Sequence, residues 1–249
     1  MINEKEYYNS VAKNTEGIQA VMHTGKLLGK YRNWLEQFAL NRELETGNFN
    51  ICDVGCGNGR FFPLFRKKGY KISGIDFSEE LIKQARKFSI TEPETTSLYL
   101  EVGDCSSIPF KDNSFDKIFI ILTLPHDEPS KIEKCLNEIN RVMRVGGKLY
   151  ILDEPNSSGS CWNEESLKKD LNSFILKKSL FIRYELVSRI FSKKRTINET
   201  QESKNTTIGN NQAKDIIRII IDSFIDIPLI IFGAKNCGAT RLLVFEKIK

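Results

Sequence analysis

The stretch DVGCGNGRFFPLFRKKGYKISGID, residues 53 to 76, sets glycines at 55, 57 and 59 directly behind an apolar run, FNICDV. It closes on a second apolar run, YKISGID. A chain gives up side chains in this way where the backbone must take a positive φ or let a ligand come close. Apolar run, glycine turn, helical segment and apolar run form a strand–turn–helix–strand unit, and such units build parallel sheets. Asp53 lies near the end of the first run and Asp76 at the end of the second. Open α/β sheets bind ligands beyond the carboxyl ends of their strands.

The same alternation continues. Gly69 ends the helix after the glycines, and Ser78 with Glu79 and Glu80 opens the next helix with a cap and a favourable charge. SLYLEVGD reads as a third strand and FDKIFIILTL as a fourth, apolar enough to be covered on both faces. Ser130 and Glu133 have capping-box spacing, Ile132, Leu136, Ile139 and Met143 give a buried stripe, and Gly146 and Gly147 supply a stop before a fifth strand, KLYILDEP. The first 40 residues read as helix after a short arm that carries Tyr7 and Tyr8. Residues 164–191 read as one amphipathic helix with Leu167, Leu171, Phe174, Tyr184 and Val187 among its apolar positions. A polar segment, SKKRTINETQESKNTTIGNNQAK, reads as a flexible loop. A helix over 214–225 and strands near 227–232 and 240–247 close the chain, and no internal repeat is found.

Three features bound the class of protein. The most apolar stretch, Ile216–Gly233, is interrupted by Arg218, Asp222 and Asp226 on one helical face, opposite Ile217, Ile220, Ile221 and Phe224. It therefore predicts an amphipathic helix broken at Pro228 and followed by a strand, not a transmembrane segment. A polar N-terminus, MINEKEYYNS, predicts no signal peptide, and six cysteines without a C-x-x-C pair read as free thiols in a reducing, cytoplasmic compartment rather than as a zinc site. A net charge of +5, with no basic stripe, argues against nucleic acid as a partner.

Glycine turns of this kind serve two ligand classes. A dinucleotide turn needs G-x-G-x-x-G, and here its last glycine is Arg60, which weighs against a nicotinamide-dependent oxidoreductase. DVGCGNGR instead resembles the first motif of the class I S-adenosylmethionine-dependent methyltransferase family, in its small-molecule branch. VGDCSSIPFKDNSFDKI is similar to that family's next motif and TLPHDEPSKIEKCLNEINRVMRVGGKLYI to its later segment, with Val145 where the family usually has proline. The resemblance covers residues 48–153.

The resemblance implies S-adenosyl-L-methionine as cofactor and S-adenosyl-L-homocysteine as product. It implies that Asp53 orients the loop and the cofactor's amino group, and that Gly55, Cys56 and Gly57 line the methionine moiety through their backbones. Asp76 would bond the ribose hydroxyls, Phe77 would lie against the adenine, and Asp104 and the Cys105 backbone would read the ring. Together with the element order it implies an α/β fold: a Rossmann-like, seven-stranded, mostly parallel sheet with helices on both faces and a helical insertion between the fifth and sixth strands. Residues 1–249 would be one domain, with 1–45 as an N-terminal helical arm and 157–214 as an insertion or cap.

Methyl transfer asks for alignment, exclusion of water and, for a hydroxyl acceptor, a general base. Candidates beyond the fourth and fifth strands are His126, Asp127 and Glu154; each also has a plain reading as turn chemistry beside a proline. Tyr7 and Tyr8 either fold over the cofactor or pack on the first helix. Lys168, Lys169, Lys177, Lys178, Lys193, Lys194 and Arg195 interleave with Glu164, Glu165, Asp170 and Glu185. They form either a solvated face or a surface for anionic lipid or an amphipathic substrate, so peripheral membrane contact stays open. The expected partner is a small-molecule acceptor: a quinone precursor, a lipid, a sugar or a natural product. A protein that binds the cofactor without catalysis is the third class. No metal site is expected.

Overall fold

A computed structural model describes residues 4–21, 26–90, 97–125, 128–154, 163–183, 212–232 and 240–249. The helices are α1 (Glu4–Asn14), α2 (Ile18–Val21), α3 (Lys26–Glu43), α4 (Phe62–Lys67), α5 (Glu79–Ile90), α6 (Pro129–Val142), α7 (Glu164–Asp170) and α8 (Gln212–Phe232). The strands are β1 (Asn50–Val54), β2 (Lys71–Asp76), β3 (Leu98–Val102), β4 (Phe115–Ile121), β5 (Met143–Asp153), β6 (Phe174–Arg183) and β7 (Thr240–Lys247). They form one seven-stranded sheet in the order β3-β2-β1-β4-β5-β7-β6. The five strands from β3 to β5 are mutually parallel, and β7 runs antiparallel to both β5 and β6.

Side-chain alternation along the central strands makes two cores. Ile51, Phe119, Tyr150 and Leu152 point to the face packed by Leu35 and Leu40 of α3, Phe62 and Phe65 of α4, and Ile82 of α5. Cys52, Ile118, Leu149 and Ile151 point to the face packed by Leu136 and Ile139 of α6 and Leu167 of α7. The expected parallel sheet with helices on both faces is present, and its strand order reverses between β1 and β4.

The second half departs from the sequence reading. Residues 164–183, expected as part of one helix, divide into α7 and β6; residues 184–191 lie outside the described residues. Phe174 and Leu176 face one core, while Leu180 and Ile182 face the other, because a bulge between Leu176 and Lys178 turns the strand over. That bulge hides the two-residue period, and pairing to β7, far along the chain, stabilises the strand. The strand expected near 227–232 is instead the end of α8, which runs through Pro228. Proline removes one N–H from the ladder, and the flanking turns carry the helix past it. β6 thus falls inside the stretch 157–214 expected as a helical insertion between the fifth and sixth strands.

The capping box is also replaced. α6 begins at Pro129, one residue before Ser130, and the Ser130 hydroxyl donates to the Glu128 carboxylate at 3.0 Å. The Ser78 cap is as expected: its hydroxyl accepts from Leu81 N–H at 3.3 Å.

Candidate active site

The glycine turn joins β1 to α4 across the end of β2. Gly55 and Cys56 both donate their N–H to the Ile75 carbonyl, at 2.8 and 2.9 Å, which folds the turn back against β2. Gly55 has φ +73°, and a Cβ there would lie 1.9 Å from Cγ2 of Thr123. Gly57 has φ +55°, and a Cβ there would meet Val21 of α2 at 2.9 Å. No other residue satisfies both conditions at Gly55.

Two carboxylates sit under this turn. Asp76 accepts from Gly57 N–H at 2.8 Å through one oxygen and from Ser78 N–H at 2.9 Å through the other. Burial pushes its pKa up to about 6 against the pull of those two bonds. Asp53 is also buried, and its Oδ1 has no hydrogen-bond partner. Burial drives its pKa up to about 7, opposed by Arg60 and reinforced by Asp76. A buried acceptor without a donor marks a place for a cationic or N–H-bearing group.

A cleft opens beside the carboxylates, lined by Gly55, Asp76, Phe77, Asp104, Cys105 and Thr123, with Gly103, Pro125 and Lys131 completing the wall. Asp104 accepts from the Ser106 N–H and hydroxyl at 2.8 and 2.7 Å, and Lys131 stands 3.7 Å away. Burial raises the Asp104 carboxyl, but these donors outweigh it and hold the pKa below its usual value. Cys56 contributes backbone alone: its side chain is buried in the core, and the thiol is held well above its usual pKa by burial.

The N-terminal helices close the back of the turn. The Tyr8 ring meets Phe77 edge-on at 5.6 Å, and Tyr7 meets Tyr8 at 5.5 Å. The Ser78 hydroxyl donates to Asn9, Asn58 donates to the Gly17 carbonyl at 2.6 Å, and Gln84 donates to Ala12 and Thr15 carbonyls. Arg60 points to α3, donating to Asn33 at 2.9 Å and Glu36 at 2.7 Å. The position where a dinucleotide turn has its last glycine is thereby filled by a guanidinium anchored elsewhere.

A family model described as a methyltransferase domain matches residues 52–151, the span that holds the turn, both carboxylates and the cleft. That span is two fifths of the chain, and it is similar to that domain family. Over 152 residues the chain is 26 % identical to the demethylmenaquinone methyltransferase of Symbiobacterium thermophilum, covering 60 % of this chain and 58 % of that one. Over 158 residues it is 34 % identical to the ubiquinone/menaquinone biosynthesis C-methyltransferase UbiE of Rickettsia bellii, covering 61 % and 62 %. The chain thus spans about three fifths of the length of the curated relatives it matches. Its fold is that of the S-adenosylmethionine-dependent methyltransferase from Methanosarcina mazei, with a TM-score of 0.57 at 17 % identity over 84 % of this chain and 96 % of that one.

Of the eight residues expected around the cofactor, Asp53, Gly55, Cys56, Gly57 and Asp76 lie in or under the turn, and Phe77, Asp104 and Cys105 line the cleft beside it. Of the catalytic candidates, His126 and Asp127 lie outside the described residues. Glu154 follows β5 and accepts from the Thr240 hydroxyl at 3.3 Å. Sequence reasoning missed Thr123, whose methyl sets the space beside Gly55, and Lys131, which reaches the cleft from the first turn of α6. It also missed Asp153, buried at the end of β5, which accepts from Leu124 N–H at 3.2 Å and ties the segment after β4 to β5. Leu122, just before, has φ +56°, a strained value for a branched residue and a pointer to the functional loop. Among the described residues no group of His, Cys, Asp and Glu could hold a metal ion.

Proposed function

We propose that the protein is an S-adenosylmethionine-dependent methyltransferase with a small hydrophobic acceptor, a quinone precursor first among the candidates. The observation that carries this reading is the unpartnered, buried Oδ1 of Asp53 beside Asp76 under a glycine turn. The cofactor's ammonium would supply the donor that Asp53 lacks. Asp76 has one N–H on each oxygen; a carboxylate accepts about four bonds, so capacity for a ribose diol remains. Phe77, backed by Tyr8, offers an aromatic wall, and Asp104 with the Cys105 backbone offers an edge for a purine.

The bound cofactor supplies an electrophilic methyl group on a sulfonium. The chain's own work is to hold it and to shape the space past β4 and β5 where an acceptor enters. Asp153 would position that space through Leu124, and Glu154, His126 and Asp127 are the groups in sequence reach of a proton on the acceptor. Named relatives that act on demethylmenaquinone favour a quinone precursor over a sugar. The N-terminal helices, up to residue 45, would complete one catalytic unit with the sheet. The free thiols of Cys52, Cys56, Cys105 and Cys135 fit a reducing, cytoplasmic setting.

Calorimetric titration with S-adenosylhomocysteine and, separately, NADH tests the cofactor. Saturable binding of the first alone is expected; binding of NADH alone overturns the proposal. Transfer of a labelled methyl group to a demethylated quinone is the matching test for the acceptor.

A further inference from the structure

α8 is turned the opposite way from a helix adapted to water. Its polar side is inward: Asp222 and Asp226 are buried, Arg218 stands 3.5 Å from Asp222, and the Tyr31 hydroxyl of α3 donates to Asp226 at 3.3 Å. Its apolar side is outward: Ile216, Ile217, Ile220, Ile221 and Phe224 are between 41 and 77 % exposed. These five fall on one side at helical spacing. Among the described residues nothing covers them; the helix itself packs on α3 and β6.

The border of this face has its own character. Leu27, Lys30 and Trp34 share one exposed stripe of α3, three and four residues apart. Trp34 is half exposed and stacks on Tyr31, the residue that reaches α8. An apolar patch rimmed by an indole and a long amine matches the graded chemistry of a bilayer surface, acyl chains below and headgroups above. We propose that the outer face of α8, with Trp34 and Lys30 at its rim, seats the protein on a bilayer containing anionic lipids.

Charge favours this occupant over a second copy of the chain. A second copy would bring the same net charge of +5, whereas an anionic leaflet brings the opposite sign. Three of the basic residues noted in the sequence near α7 and β6 are already paired. Lys168 pairs with Glu164 and Glu165, Lys177 with Glu246 and Lys178 with Glu43. Among the described residues no helix is long and apolar enough to cross a membrane, and a one-sided helix of this kind lies in the plane of the surface.

The inference stands apart from the methyl-transfer reading, because lipid binding is measured without cofactor or acceptor. The test is co-sedimentation of the full chain with vesicles of phosphatidylcholine, with and without phosphatidylglycerol. The chain should partition onto the anionic vesicles. Ile217→Ser with Phe224→Ser should lower the partition by roughly tenfold or more while circular dichroism and Tm stay as in the parent, since both positions are exposed. Lys30→Glu should lower it several-fold and flatten its salt dependence. Failure of the parent chain to sediment with anionic vesicles overturns the proposal, and so does a double variant that sediments as well as the parent. A parent dimer in solution that the double variant makes monomeric overturns it too, by assigning the face to a second copy.

Discussion

The turn after β1 and the helix α8 both put carboxylates out of water, and they do so for opposite ends. Under the turn, Asp53 keeps an oxygen without a partner and Asp76 accepts from two backbone N–H groups; burial raises both pKa values, to about 7 and about 6, and at Asp76 the two bonds oppose the rise. On α8, Asp222 and Asp226 face inward and Asp226 is met by a tyrosine hydroxyl. On the proposed reading the first pair meets a ligand. The second holds a helix in place with its apolar side exposed. Burial of a charged group by itself therefore decides nothing about function; what it lacks or has for a partner does.

The largest expected effect tests how rigid the turn is. Gly55→Ala puts a methyl where Thr123 already stands and forces a positive φ on alanine. Affinity for S-adenosylhomocysteine should fall beyond calorimetric detection, and stability should drop by about 2–4 kcal/mol in urea unfolding. Ile217→Ala on α8 should change stability by less than about 0.5 kcal/mol. Equal effects at the two sites would erase the contrast.

Next comes Asp76→Ala, which removes charge-assisted bonds worth ~1.5–3 kcal/mol each and should weaken S-adenosylhomocysteine binding by roughly tenfold or more. Asp76→Asn, which keeps an acceptor, should fall between the two. Unchanged affinity in a folded variant would take Asp76 out of the site.

The raised pKa values predict a dependence on pH with a definite sign. Both groups have folded values above the ordinary carboxylate value of 3.8, at about 7 for Asp53 and about 6 for Asp76. Their contribution to stability is thus full below pH 3.8 and is lost as pH rises through 6 and 7. A cationic ligand needs the ionised form, so its affinity should move the other way. The rise in Tm on adding S-adenosylhomocysteine should be larger at about pH 8 than at about pH 5.5. A gain independent of pH would mean that Asp53 does not meet the ammonium.

A smaller effect belongs to the contact between α3 and α8. Tyr31→Phe deletes the bond to Asp226 and should cost about 0.5–1.5 kcal/mol, read as a shift in the urea midpoint with no change in cofactor affinity. A change in affinity would couple the two regions that the contrast keeps apart.

The sequence alone determined the parallel half of the sheet and the cofactor end of it. FNICDV, YKISGID and FDKIFIILTL became β1, β2 and β4, and the glycines at 55 and 57 adopted positive φ, because backbone freedom and short-range periodicity are local properties. Tertiary structure decided the rest. It made a strand of residues 174–183, whose bulge conceals the alternation and whose partner β7 is remote in sequence. It carried α8 through Pro228, and it chose which of that helix's two faces turned inward. A helical period marks two faces and says nothing of their solvent; packing on α3 and β6, with the Tyr31 hydroxyl meeting Asp226, goes with the carboxylates inside and the isoleucines outside.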